Sequence, residues 1–192
     1  MAGDTIIGVG GNSIISAMAG EDARTVDCAG MTLIPGMVDS HCHLLAMAAS
    51  LQGLNCGPAA ISSIHQLRQV LQQEAGATPQ GQWVRGFGYD DGAFSENRHP
   101  NRWDLDQAVP DHPVRLLHRS GHAMVLNSRA LALAAIHPDT PDPPGGVIER
   151  QEGTGEPTGL LLEMNDYLDG VIPPLSRDEM ERGIGQFNEQ CL

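Results

Sequence analysis

The stretch Leu33-Ile34-Pro35-Gly36-Met37-Val38-Asp39-Ser40-His41-Cys42-His43-Leu44 decides how this sequence is read. Pro35-Gly36 marks a turn, Met37 and Val38 are apolar and strand-forming, and two histidines follow at alternate positions. Alternate strand residues share a face, so His41 and His43 point the same way while Cys42 points to the other side. Two imidazoles converging at the end of a strand are donors that a divalent ion such as zinc takes. Asp39 shares their face and fits either as a direct ligand or as a hydrogen-bond partner behind the histidines. Spacing alone leaves a purely structural His-x-His open. The segment predicts a buried strand over residues 34–43 with metal ligands at its carboxyl end, where parallel barrels carry their active sites.

Before this segment, residues 5–9, 13–18 and 25–26 read as short strands of a small antiparallel sheet, separated by glycine turns. After it, a helix is expected from Ser63, with Gln66 reaching back, Ile64, Leu67 and Leu71 as its apolar stripe and Gly76 as its stop. His65 on that helix reads as solvated. Residues 113–118 read as a strand, 119–122 as a turn and 127–136 as an Ala- and Leu-rich helix. His118 and His122 therefore flank a turn, where each can face a substrate or satisfy local backbone groups. Residues 147–150 and 158–162 can pair as a hairpin around Gly153-Thr154-Gly155. Glu163 ends the apolar run Leu160-Leu161-Leu162, as if a strand delivered a carboxylate to its carboxyl end; a charge there is costly unless paired or metal-bound. The alternative is a surface helix opening through Met164 and Tyr167. Ser176 precedes Glu179 by three residues, a capping box, and Met180, Ile184, Phe187 and Cys191 then form a stripe expected to face a core.

The order of motifs along the chain resembles one family. Pro35-Gly36-Met37-Val38-Asp39-Ser40-His41-Cys42-His43 is similar to the first barrel strand of the amidohydrolase superfamily. The segment Trp83 to Asp90, then Leu105-Asp106, Pro113-Val114, Gly121-His122-Ala123, Asn127-Ser128, Ala130-Leu131, Gly145 to Arg150 and Gly155 to Glu163 resemble its amidohydrolase-3, YtcJ-like group. Tyr89 departs from it, since the group often has Trp there. The resemblance implies an α/β fold: a TIM-like barrel, present in part, with an amino-terminal β-sandwich portion and an inserted α+β subdomain. The matching division is residues 1–33 for the sandwich portion, 34–81 for the first barrel strand and its helix, 82–162 for the insertion and 163–192 for the return to the barrel. A barrel of this kind needs roughly 250 residues, against 192 here. The expectation is an amino-terminal portion of a longer enzyme, with further histidines and a catalytic aspartate downstream.

The resemblance also implies hydrolysis of a carbon–nitrogen bond in amides or related non-peptide substrates with a divalent metal, zinc before others. His41, His43 and Glu163 are the expected metal ligands, His122 and Asp90 the expected substrate contacts, and Asp39 the partner behind the ligands. A bridging carboxylated lysine, common in the wider superfamily, has no source here because every one of the 11 basic residues is arginine. A deaminase or cyclic-amide hydrolase uses the same first strand, and a non-catalytic metal-binding fragment or binding module uses the same His-x-His.

Composition narrows the partners. With 41% hydrophobic residues and no long apolar run, the chain reads as globular and without a membrane span. The start, Met1 to Thr5, has no basic stretch followed by an apolar one, so no leader is expected and the cytoplasm is the default compartment. Cys28, Cys42, Cys56 and Cys191 show no paired spacing and read as thiols. The net charge of −13 argues against nucleic acid, whose phosphates need a basic face. The expected partner is a small-molecule substrate, with self-association into homo-oligomers anticipated through unpaired strand edges. Gly8-Val9-Gly10-Gly11 lacks the spacing of a phosphate-binding loop.

Overall fold

Among residues 1–191, which the computed structural model describes, the helix cap at Ser63 forms as its chemistry requires. The Ser63 hydroxyl accepts the Gln66 backbone N–H at 3.1 Å, satisfying a donor that the first helical turn leaves free. Gln66 reaches back one residue beyond the cap, its Oε1 accepting the Ser62 backbone N–H at 2.9 Å. This helix is α3, Ile64–Ala77, with Ile64, Leu67 and Leu71 buried on one face and Gly76 inside the final turn rather than ending it. It follows α1, Asn12–Met18, and α2, Leu44–Ser50. After it come α4, Arg102–Ala108, α5, Ser128–Leu133, and α6, Arg177–Cys191.

The chain forms two compact units, Met1–His41 and the part from Cys42 onward. In the first, the expected strands are replaced by α1 and irregular chain; its β pairing among the described residues is the single bridge between Ala2 and Thr5. Residues 13–18 are helical because Ile14, Ile15 and Met18 recur at helical as well as strand-compatible spacing, and short apolar runs do not distinguish the two. Residues 34–43 form no strand either. Met37 and Val38 are each 91% exposed, and His43 serves as the N-cap position of α2. A buried parallel strand needs a hydrogen-bonded neighbour on each side, and no described strand pairs with this segment.

The second unit is built on a six-stranded sheet. Its strands are β1, Leu54–Asn55, β2, Val84–Tyr89, β3, Val114–His118, β4, Ala123–Leu126, β5, Val147–Arg150, and β6, Pro157–Leu162. They lie in the order β1-β2-β3-β4-β6-β5. The first two pairings, β1 with β2 and β2 with β3, are parallel, whereas β3–β4, β4–β6 and β5–β6 are antiparallel. Two reversals make β6 run with β3, so Asn55, Tyr89, His118 and Leu162 all end at one edge. The strand expected over 113–118, the helix after Asn127 and the hairpin of 147–150 with 158–162 are all present. β1, from the stretch expected to open a barrel, joins the same sheet as strands expected in the insertion.

Alternation sorts the two faces. Val84, Val114, Leu116, Val125 and Leu160 pack with α3 and α4 residues Leu67, Leu71 and Leu105. Met124, Leu126 and Leu161 face the opposite way, against Leu131, Ile148, Met164 and Leu168. Each fully buried Leu of these clusters contributes about 1.5–3 kcal/mol relative to exposure.

Asn127 links strand, loop and helix. Fully buried, its Oδ1 accepts the backbone N–H groups of Val114 and Ala130, both at 3.0 Å. Its Nδ2 donates to the carbonyls of Val109 at 3.1 Å and His112 at 2.9 Å. All four bonding positions of the amide are used, so this motif residue holds the fold.

The Ser176 cap forms, with Glu179 Oε2 accepting the Ser176 N–H at 2.7 Å. The stripe read from α6 is only half-buried, however, and Cys191 is exposed; Gly183 is the buried residue of that helix. A Cβ at Gly183 would stand 2.2 Å from the carbonyl oxygen of Ala48 on α2, so the helix seam runs through a glycine that hydrophobic patterning does not register.

Candidate active site at the carboxyl edge of the sheet

Strand β2 delivers Tyr89, Asp90 and Asp91 to the carboxyl edge, with a register irregularity between Phe87 and Tyr89 that pairs Tyr89 with His118 of β3. Tyr89 is fully buried, and its hydroxyl lies 3.0 Å from Nδ1 of His99. Its ring meets those of His99 and His118 edge-on, at centroid distances of 5.9 and 5.1 Å. Burial, then the charges of Asp91 and Glu149, pushes the Tyr89 phenol well above its ordinary range, so it works as a neutral hydrogen-bonding group.

Asp91 takes the place between the two histidines. Its Oδ1 is 3.1 Å from His118 Nε2 and its Oδ2 is 3.7 Å from His99 Nε2. The His118 Nε2 atom is buried and its approach to Asp91 lacks hydrogen-bond alignment, so it has no hydrogen-bond partner. Burial lowers the His118 pKa below its ordinary value, opposed by the Asp91 carboxylate. Nδ1 of the same ring sits 2.8 Å from Ser120 Oγ, the kind of outer contact that fixes a ligating ring.

Asp90, Asp91 and His118 each offer one ligand atom, and these atoms lie within 4.8 Å of one another. Two carboxylate oxygens and one imidazole nitrogen make a donor set that fits a divalent cation. Asp90, expected to touch substrate, is in part a local structural group: its Oδ1 accepts the Gly92 N–H at 3.1 Å, and its Oδ2 lies 3.3 Å from Arg119 Nη1.

His122 and Glu163 meet at the same edge. The Glu163 N–H donates to the His122 carbonyl at 2.8 Å, and the His122 Nδ1 lies 2.9 Å from Glu163 Oε1. Glu163 follows β6 directly and holds φ at +52°, a left-handed conformation uncommon outside Gly and Asn. It begins no surface helix; the next regular element is a short 3-10 turn at Asp166–Leu168. The sequence nominated Asp90, His122 and Glu163 separately, and the fold places all three at the carboxyl edge of one sheet. Asp39 Oδ1 accepts the His41 N–H at 2.9 Å in the first unit. Asp91, His99 and His118 are what sequence reading underweighted; the signal for them was an acidic pair directly after a strand ending in a buried aromatic.

The model of the amidohydrolase family matches residues 24–191. The chain belongs to this family. It is 36% identical over 163 residues to an N-substituted formamide deformylase of Arthrobacter pascens, a match covering 85% of this chain and 30% of that protein. It is 32% identical over 171 residues to the amidohydrolase YtcJ of Bacillus subtilis, covering 88% of this chain and 32% of the relative. Among solved structures, a metal-dependent hydrolase of Pyrococcus furiosus aligns with a TM-score of 0.49 and 24% identity, over 81% of this chain and 29% of that one. The chain thus spans about a third of the length of the curated relatives it matches. No helix among the described residues is long and apolar enough to cross a membrane.

Proposed function

We propose that this chain is the amino-terminal part of a metal-dependent hydrolase that cleaves amide-type, non-peptide carbon–nitrogen bonds, with N-substituted formamides as the first substrate class to test. The observation that carries this reading is the gathering of carboxylate and imidazole donors at the carboxyl end of parallel strands, in a chain of the amidohydrolase family. The similarity to a formamide deformylase supports the substrate class.

His41, His43 and Glu163 are the ligands this reading assigns from the sequence, with zinc as the first ion to test; within the second unit, Asp91 and His118 offer donors of their own. When bound, the ion activates water as a nucleophile at neutral pH and polarises the scissile carbonyl. His122, oriented through Nδ1 by the Glu163 carboxylate, has Nε2 left to contact the substrate. Asp90, braced by the Gly92 N–H and Arg119, holds a fixed carboxylate that can accept a substrate N–H. The proton reaching the leaving nitrogen is assigned to a carboxylate outside these 192 residues, so the chain alone is expected to bind metal without turnover.

The test is formate release from an N-alkylformamide by the full product of the reading frame that contains this sequence, with zinc and after chelation. Zinc-dependent release, lost in His41→Ala and His43→Ala, is expected. Release that survives chelation would overturn the metal mechanism. Ammonia release from cyclic amidines without formate release from formamides would move the enzyme to the deaminases.

A further inference from the structure

Two cations meet on the opposite face of the sheet from α3. Arg85 of β2 and Arg115 of β3 are paired in register, so their side chains leave neighbouring strands roughly 4.8 Å apart on one face. They line a cavity of about 240 Å³ whose other walls include Phe87, Met124, Ile172 and Met180. Arg85 Nη2 donates to the Pro173 carbonyl in a short contact. The Arg115 guanidinium makes no hydrogen bond and no ion pair among the described residues, and its Nε is buried without a partner.

A guanidinium cannot discharge itself by losing its proton in a protein. Burial holds both arginines below their usual pKa, and the Arg85 charge lowers that of Arg115 further. The acids nearby do not answer Arg115: Glu179 caps Ser176, and Asp169 lines the cavity without coming within ion-pair reach of either arginine. The unpaired Arg115 fork, with Arg85 beside it and an apolar wall around it, asks for a ligand with an oxyanion at one end and a hydrocarbon body at the other. The volume falls below the roughly 300–1,000 Å³ of drug-sized pockets, which selects a compact molecule.

We infer that the Arg85–Arg115 cavity binds a small organic carboxylate with an apolar body, in a site separate from the carboxyl edge. Benzoate is the probe. Added to the 192-residue chain at constant ionic strength against chloride, it is expected to give a saturable rise in melting temperature and saturable heat in calorimetric titration. Arg115→Met, which retains the apolar stem, should weaken benzoate binding by about tenfold or more. The same variant without ligand should melt no lower than the parent, because it removes an unpaired cation beside a like charge. A benzoate response equal to that of chloride, an undiminished response in Arg115→Met, or a lower melting temperature of the unliganded variant would each overturn the assignment. Phosphate binding as strong as benzoate would also overturn it, showing a bare oxyanion site with no use for the apolar wall.

Discussion

Asp91 and His118 face each other across the β2–β3 edge, carboxylate oxygen to imidazole nitrogen at 3.1 Å, without the alignment of a hydrogen bond. Tyr89, paired with His118 across the register irregularity in β2, sets its ring edge-on to those of both histidines. Two carboxylates and an imidazole gathered this way offer three ligand atoms within 4.8 Å of one another.

Zinc binding to the chain is the first expected outcome. At about 100 times its dissociation constant a ligand specific for the folded state adds roughly 2.7 kcal/mol, a melting shift of about 5–10 °C at this length. The shift should vanish in the His41→Ala, His43→Ala double variant and shrink in Asp91→Asn. If Asp91→Asn abolishes it and the double variant does not, the ion belongs to the Asp90–Asp91–His118 group instead.

Asn127→Ala tests whether the Asn-Ser motif is structural. The substitution strips partners from four buried backbone groups, each such loss costing about 1–3 kcal/mol before relaxation. A net destabilisation of about 3–5 kcal/mol is expected by denaturant titration. A loss under about 1 kcal/mol with zinc binding removed would instead make Asn127 a site residue.

Legibility followed locality. The Ser63 and Ser176 caps, the hairpin of β5 and β6 and the turn between His118 and His122 were readable because their chemistry is carried by residues a few positions apart. The strand expected at 34–43 was not realised, since a parallel strand is defined by neighbours its own residues do not name. Gly183 was invisible because a contact made by the absence of a side chain leaves no apolar period. His118 was seen as one of two turn histidines, and what singles it out is Asp91 arriving from a different strand.

Thiol chemistry gives a pH test. Burial pushes the Cys56 thiol up to about 12, against a backbone contact with Phe87 that lowers it. Cys28, Cys42 and Cys191 are half-buried or exposed, so three thiols should react readily with an aromatic disulfide and Cys56 only on unfolding. Above the ordinary thiol range the unfolded chain has lost a proton that the folded chain keeps. Stability from this group is therefore full below about pH 9 and declines as pH rises toward 12. Melting temperatures should fall more steeply between about pH 8 and pH 10 in the parent than in Cys56→Ala; parallel curves would refute the assignment.

Glu163→Gly separates strain from ligation. A non-glycine residue at φ +52° carries about 1–2 kcal/mol of backbone cost, which glycine removes, while glycine's freer unfolded chain takes back about 0.4–1 kcal/mol. The lost pair with His122 is exposed, its two side chains 55% and 70% accessible, and such pairs are worth under about 1 kcal/mol. Stability should therefore change by less than about 1 kcal/mol in either direction. Zinc affinity should nevertheless fall by at least about tenfold, the loss seen even when an outer partner of a ligand is removed. Glu163→Gln keeps the strained backbone and loses the charge, so it should match the glycine variant in affinity without any relief of strain. Strain retained beside a site is a signature of function over stability. Calorimetric titration showing unchanged zinc affinity in a folded Glu163→Gly variant would remove Glu163 from the ligand set and reduce its left-handed turn to a local feature of the β6 end.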